Sequence, residues 1–279
     1  SRLIARPINR LIAGTRRIAA GEKNIKVEVA SQDEIGKLAE TFNVMAESID
    51  QKERLIKKKI QENNDLLLNI LPESVSKRVQ NGEENIADSF PNVTIIYVEI
   101  EGFADLSGAK SASQSMQLLH ELIVAFDETA EQFGVEKLKT MGSSYIAVCG
   151  LNIARVDHTK RAVDFSLALL KLMNIFNHKR GSNLGLDIGV HSGPVVAGII
   201  GKNKFIYELW GETMNIARLI HNSPDTNIIQ VSESVYNNLQ GMYDFKPLDH
   251  MTVKGKGNIP VWSLHPLHSL SSHGVGVQL

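Results

Sequence analysis

Apolar residues open the chain at spacings of four and three: Ile4, Ile8, Leu11, Thr15 and Ile18. That pattern predicts a helix with one heptad seam, ended at Gly21. Ile25, Val27 and Val29 then alternate with polar residues, as an extended connector would. Ser31 and Glu34 have the spacing of a capping box, so a second helix is expected from there. Its seam runs Ile35, Leu38, Phe42, Met45, Ile49 and continues through Lys52, Ile56, Ile60, Asn63, Leu67 and Ile70. Two successive four-residue steps around Ile56 break the heptad, which is a stutter. Lys52 and Asn63 on the seam weaken this part, so 51–71 reads as a marginal coupling helix. Leu71-Pro72 ends it, because the residue before proline leaves the helical region, and a short helix is expected over Pro72–Gln80. Two helices with one apolar seam each cannot bury themselves in a single chain. A parallel four-helix bundle of two chains would.

From Val93 the pattern changes. VTIIYVEI is a near-continuous apolar run and predicts a central strand. Ser113–Phe133 carries a helical stripe through Leu118, Leu119, Leu122, Ile123, Phe126 and Phe133. Val135–Lys139 and Tyr145–Cys149 predict a strand pair turning at Met141-Gly142-Ser143, and another helix covers His158–Phe176. LDIGVHSG, FIYELWG and IIQVS read as strands, with a helix opening near Glu212. The order predicts an α+β fold, a sheet with helices on one face as in ferredoxin-like folds. Residues 267–279, rich in Ser and Gly, are expected to form a flexible tail.

Composition narrows the function classes. The chain has 279 residues, 43% apolar and 22% charged, with a net charge of −1. That balance gives no reason to expect a nucleic-acid partner. The one cysteine, Cys149, lies in an apolar strand and has no intramolecular disulfide partner. No run is long and apolar enough to span a membrane, and no signal peptide is visible. Arg2, Arg6, Arg10, Arg16 and Arg17 nonetheless make the start basic, as the cytoplasmic flank of a transmembrane helix is. The chain starts without Met, so an upstream transmembrane sensor segment is expected.

Three resemblances fit this layout. RPINRL and DEIGKLAETFNVM, with the early proline and the Asp-Glu-Ile-Gly start, resemble a HAMP domain, a relay module of bacterial membrane receptors, over 1–52. LLLNILPESVSKRVQNGEENIADSFPNVT resembles the transducer element before many bacterial cyclase domains, giving a coupling segment over 53–90. From 91 to 266 the chain resembles the class III adenylyl and guanylyl cyclase catalytic domain, most specifically in GVHSGPVVAGIIGKNKFIYELWGETMNIA and VKGKG. The fold implied is the ferredoxin-like cyclase domain, working as a head-to-tail dimer. The reaction implied is conversion of ATP to cyclic AMP and pyrophosphate with Mg²⁺ or Mn²⁺.

The carry-over of site residues is uneven. Glu99 stands where the family has its first metal Asp, one methylene longer than the tight geometry of Mg²⁺ favours. Ser143 stands where many members have the second metal Asp and brings no charge; Glu101 and Asp105 are the neighbouring carboxylates that could substitute. The backbone at Ile100–Phe103, with Gly102 and Phe103 at its turn, matches the triphosphate cradle. Lys139 and Glu208 match the pair that reads adenine, a Lys donor and a carboxylate acceptor. Asn215 matches the Asn that positions ribose and phosphate, and Lys254, with Lys256 nearby, the phosphate-binding Lys. Leu219 replaces the Arg that stabilises the pentavalent phosphorus. Arg218 points about 100° away on a helix. His191 reads as structural.

Loss of one preorganised transition-state group costs about 10²–10³ in rate, and both sites of a homodimer would share these changes. Three readings stay open: a pseudo-cyclase that signals without turnover, with no metal bound; the base-reading half of a heterodimer, since GSSY with Lys139 is similar to the second catalytic half of mammalian adenylyl cyclases; or an active receptor-type adenylate cyclase with altered metal ligation.

Overall fold

The computed structural model describes residues 2–28, 33–68, 70–103, 111–201, 205–221, 226–248, 251–253 and 257–264. Val29, Ser31, Asp105, Lys254, Lys256 and the 267–279 tail lie outside the described residues. The chain divides into two units, Ser1–Lys77 and Arg78–Leu279.

The first unit pairs α1 (Arg2–Ala19) with the start of α2 (Glu34–Leu68). Leu11, Ile25, Val27, Ala39, Phe42 and Ala46 form its core, with Ile18 packed against them. The extended connector lies along α2 because Asn43 acts as its strand partner. Val27 N donates to Asn43 Oδ1 at 2.8 Å and Asn43 Nδ2 donates to Val27 O at 3.0 Å. Gly14 lets the elements close, since a Cβ there would lie 2.8 Å from Val27 Cγ2.

Two expectations shift. The N-terminus of α2 is capped by Asp33, whose Oδ1 accepts from Ile35 N at 2.9 Å and Gly36 N at 3.2 Å. The buried stripe of α2 runs through Gly36, Ala39, Phe42 and Ala46, sharing only Phe42 with the predicted seam. Small residues face α1, where close approach needs them, which leaves Leu38 and Met45 exposed, as Ile8 and Ile12 are on α1. Beyond Asp50, α2 keeps Leu55, Ile56, Ile60 and Leu66 more than half exposed. The next helix, α3, spans Glu73–Gln80.

The second unit is built on one sheet. Its central strand β1 runs Ala87–Glu101, and α4 (Ala112–Phe133) follows. Ser111 begins α4 with a capping box closed by Gln114, and Gly134, at φ 65°, ends it. The pair β2 (Glu136–Met141) and β3 (Ser144–Cys149) turns at Gly142, and α5 covers His158–Arg180. Then come β4 (Gly185–Ile200), β5 (Ile206–Trp210), α6 (Glu212–Ile220), β6 (Ile228–Ser232) and α7 (Glu233–Leu239). The short strands β7 (Phe245–Pro247), β8 (Met251–Val253), β9 (Gly257–Ile259) and β10 (Val261–Leu264) complete the chain. The sheet order is β2-β3-β1-β4-β6-β10-β7, with β5 paired to β4. All these pairs are antiparallel except β4 with β6, which is parallel.

Period-two alternation splits the strands between two cores. Ile96, Val98 and Ile100 of β1 join Leu186, Ile188 and Val190 of β4 beneath α4, α5 and α7. Val93, Ile95 and Tyr97 face the other side, with Ile146, Val148, Val195, Leu209 and Ala217. The expectation of helices on one face therefore needs correcting, since α6 occupies the second face. It sits so close that a Cβ at Gly189 would lie 2.1 Å from Ala217 O. A buried polar knot pins α5 to the sheet: Thr94 Oγ1 bonds His158 Nδ1 at 2.6 Å and Ser192 Oγ at 2.7 Å. Burial pushes the His158 pKa down, as desolvation of an imidazolium must.

Candidate active site

The β1–β3 and β1–β4 registers build one end of the site. Glu99 lies opposite Ser144 on β3 and Asp187 on β4. The tight turn at Gly142, φ 61°, brings Ser143 beside them. Ser143 Oγ donates to Glu99 Oε1 at 2.5 Å and Ser144 Oγ to Glu99 Oε2 at 2.5 Å. Tyr97 in turn donates to Ser144 Oγ at 2.9 Å. Both oxygens of Glu99 are thus occupied by hydroxyl donors from the adjoining hairpin. Ser143, unlike an acidic residue, satisfies this carboxylate rather than adding a second charge.

Asp187 is the residue that sequence reasoning missed. It is 5% exposed, and its Oδ1 has no hydrogen-bond partner. Burial first, then the nearby Glu101 and Glu99 charges, push its carboxyl up to about 6 against relief from the Asn227 backbone. The signal was parity: in LDIGV the even-numbered Leu186, Ile188 and Val190 go to the core, so Asp187 goes to the Glu99 face.

Despite this acidity, the described residues do not fit a two-metal site. Among them no three His, Cys, Asp or Glu side chains stand where they could hold one ion. The predicted metal position Glu99 accepts a hydroxyl hydrogen bond on each oxygen, and Ser143 supplies no charge. Glu101 is half-buried and Asp105 lies outside the described residues.

The proposed phosphate cradle is smaller than expected. Ile100 N already donates to Ser143 O at 3.0 Å, and Glu101 is still paired in the ladder, opposite Gly185. The chain turns only at Gly102, whose φ of 78° is one that glycine adopts without steric cost. Half-buried Phe103 follows this turn, and Lys254 is outside the described residues.

Lys139 and Glu208, the residues expected to read the base, do come together. Lys139 projects from β2 and Glu208 from β5, 69 residues apart, and Lys139 Nζ donates to Glu208 Oε1. Each side chain is about one third exposed, at 36% and 31%, open enough to meet a ligand. The β4–β5 hairpin makes this possible by folding Leu209 and Tyr207 onto the second core.

Asn215 and Leu219 are both exposed, one helical turn apart on α6, so they share a surface. Leu219 is 41% exposed and supplies no cation. Arg218 is exposed one position away, about 100° around the helix, so it does not take the place of the missing guanidinium. Neither end of the site lines the cleft of about 680 Å³ near Phe90, His191, Val196, Trp210 and Thr213. His191 Nδ1 there bonds Ser232 Oγ at 2.7 Å, a tie between β4 and the end of β6.

Comparisons with known proteins place the chain in a family. The family model described as the adenylate and guanylate cyclase catalytic domain matches residues 86–266, and the HAMP domain model matches 1–51. An adenylate cyclase of Mycobacterium tuberculosis (strain ATCC 25618 / H37Rv) is 34% identical over 200 residues, 71% of this chain and 45% of that protein. The membrane guanylyl cyclase of Dictyostelium discoideum is 32% identical over 194 residues, 69% of this chain and 13% of that protein. This chain thus spans less than half the length of either relative. The guanylate cyclase domain of RhGC from Catenaria anguillulae, solved with GTP, matches with a TM-score of 0.61 at 32% identity, over 63% of this chain and 97% of that one. The adenylyl cyclase CyaB from P. aeruginosa shares the fold with a TM-score of 0.61 at 18% identity, over 67% and 97% of the two chains. The chain belongs to the adenylate and guanylate cyclase catalytic-domain family, with a HAMP domain ahead of its cyclase domain.

Proposed function

We propose that this chain is a HAMP-coupled signalling member of the cyclase family that, as a homodimer, reads a purine nucleotide without cyclising it. The observation that carries the reading is the pair of hydroxyl hydrogen bonds that Glu99 accepts from Ser143 and Ser144. Each oxygen of this carboxylate already has a hydroxyl donor on one lone pair, so Glu99 is stabilised here without a cation. The unneutralised Asp187 beside it and the absence of a cation at Leu219 act in the same direction. On the other side, the Lys139–Glu208 pair supports recognition of adenine: an ammonium donor for a ring nitrogen and a carboxylate acceptor for the exocyclic amine. The relatives' names, an adenylate cyclase and a guanylyl cyclase, fit a purine ligand. Asn215 would orient the ribose, with Lys254 and the Gly102–Phe103 turn meeting phosphate.

The faces left uncovered support homodimerisation. Ile8, Ile12, Leu38 and Met45 are exposed on the two HAMP helices, and Ile56 and Ile60 on the coupling helix; a second copy in parallel would bury them. No helix among the described residues is long and apolar enough to cross a membrane. The basic start supports attachment to an upstream membrane sensor.

The direct test is a cyclase assay of the purified chain with ATP or GTP and Mg²⁺ or Mn²⁺. No cyclic nucleotide above background is expected; turnover matching an Asp-bearing relative would overturn the reading. A second reading is favoured by the intact base-reading pair: the chain serves as the nucleotide-reading half of a heterodimer. Mixing with an Asp-bearing homologue tests it, and no gain over the homologue alone would sink it.

A further inference from the structure

The two ends of the site do not ride on the same stretch of sheet. β1 pairs with β4 in two blocks, 87–90 against 195–198 and 93–101 against 185–193, and the register breaks between Phe90 and Val93. Pro91, which has no N–H to give a ladder, lies in the break. Such irregularities bend strands and interrupt pairing. The lower block holds Glu99 and Asp187. Through β3 it also carries β2 and therefore Lys139. The upper block carries Glu208, because Gly198 of β4 lies between Ala87 on one side and Glu208 on the other.

The far end of the upper block is tied to the point where the chain enters the second unit. Arg78 forks onto Glu83, with Nε to Oε2 at 2.8 Å and Nη2 to Oε1 at 2.6 Å, while Nη1 reaches Asp88 Oδ2 at 2.5 Å. One guanidinium thus joins α3, the following turn and the first residues of β1. Beside it, Ile199 N donates to Ile86 O at 3.0 Å. Gly198 is packed so closely that a Cβ would lie 2.5 Å from Ile86 O. A cleft of about 540 Å³, lined by Val79, Glu83, Ile86, Ile199 and Phe205 among others, otherwise separates the turn from the hairpin. The connection is therefore narrow: the Arg78 fork, one backbone bond beyond the ladder, and a glycine contact. The fork is bidentate and half-buried at Arg78, stronger than a simple surface pair, yet its carboxylates stay partly exposed to water, which suits a latch that holds but can open.

We propose that residues 78–90 form a lever, latched by Arg78 and hinged at the Phe90–Val93 break, that sets whether Glu208 meets Lys139. A change at Arg78 is passed along the Ala87–Gly198–Glu208 row, while Lys139 stays with the lower block. Displacement of the upper block opens the ion pair, and latching closes it. The inference rests on the proposed function only in calling that pair a nucleotide contact; the lever is tested without nucleotide.

The experiment is amide hydrogen exchange on the full chain, wild type against Arg78→Ala. Exchange in β5, Ile206–Trp210, and in the upper block of β4 is expected to rise severalfold, with α5 unchanged. Coupling between sites is reciprocal, so Glu208→Gln, which weakens the pair with Lys139, should raise exchange at 83–90. A latch with only a local structural role would not respond to that distant change. If Arg78→Ala does not fold, Asp88→Asn, which leaves the Arg78–Glu83 fork in place, is compared in the same way. Unchanged β5 exchange in the folded variant, or unchanged 83–90 exchange in Glu208→Gln, overturns the lever. Neither result bears on whether nucleotide is cyclised, so the two proposals fail separately.

Discussion

The carboxylate end and the base-reading end of the sheet differ in what holds each together. At the base-reading end, two residues from strands far apart in sequence meet as an ion pair, Lys139 to Glu208. At the carboxylate end, the groups that meet are one acid and two hydroxyls, Glu99 with Ser143 and Ser144, beside a buried acid with an unpaired oxygen. The first arrangement leaves polar groups one third exposed and able to reorient toward a ligand. The second is already satisfied. The difference teaches how one sheet can carry two kinds of polar contact: at the hairpin turn a serine donates to Glu99 of β1, where an acid would repel it unless a cation lay between them.

The largest effect should come from supplying the residues that the resemblance leads one to expect. The triple variant Glu99→Asp, Ser143→Asp, Leu219→Arg is expected to raise cyclic-nucleotide formation in the presence of Mn²⁺ by at least about 10²-fold over the wild type, measured by product detection at saturating ATP. A triple variant as inert as the parent would mean that the defect extends beyond these positions, and Asp187 would then be the next to change. Effects should be non-additive, because groups that act as a unit fail together; each single reversion is expected to give far less than its share.

Next in size are paired tests of the two ends against each other. Lys139→Ala and Glu208→Ala should each weaken binding of a non-hydrolysable ATP analogue by about tenfold, the scale of one charged hydrogen bond, as read by calorimetry. Glu99→Gln should change that affinity much less. Equal losses at both ends would break the comparison, since Glu99 would then contact the ligand directly.

Much of this was legible in the chain itself. The near-continuous apolar run VTIIYVEI predicted a central strand and LDIGVHSG another, and the three-four spacing marked the helices, but the second covered face of the sheet was not foreseen. Register was not legible, and it decides the site: nothing in the sequence sets Asp187 opposite Glu99, or Gly198 between Ala87 and Glu208. Helix rotation was missed for a related reason. Leu38 and Met45 look like the seam of α2, yet Gly36, Ala39 and Ala46 face α1 because close helix contact rewards small residues. The Arg78 fork was invisible because its carboxylates come from a turn and a strand start with no periodicity to reveal them.

A smaller effect should appear in stability. Asp187 has its carboxyl pushed up to about 6, above the ordinary value of about 3.9 for an Asp in an unfolded chain. The folded state therefore binds the proton more tightly than the unfolded state between these values, and stability falls as pH rises through that window. Asp187→Asn removes the cost of an ionised buried acid, so the variant should gain on the wild type at pH 8 by up to about 3 kcal/mol and lose most of that advantage near pH 4. Thermal melts of both proteins across this range measure it. A gain independent of pH would mean that the amide helps through packing or hydrogen bonding, and the carboxylate end would be less electrostatically strained than its geometry indicates.

The smallest expected effect concerns Leu219, and its smallness is the point. A leucine at this position, where the resemblance leads one to expect an arginine, could have been recruited into the core, in which case its identity would be a matter of packing. The structure argues otherwise: the side chain is 41% exposed on the same turn-to-turn face as Asn215, while the buried contacts of α6 are made by Thr213, Ile216, Ala217 and Ile220. Leu219→Ala should therefore change the melting free energy within about 0.5 kcal/mol, the range of surface substitutions without special contacts. A loss of about 2 kcal/mol or more, typical of a truncated core leucine, would show that Leu219 is covered by a partner chain or by other parts of this one. The position would then belong to an interface, and the leucine would reflect assembly as well as chemistry.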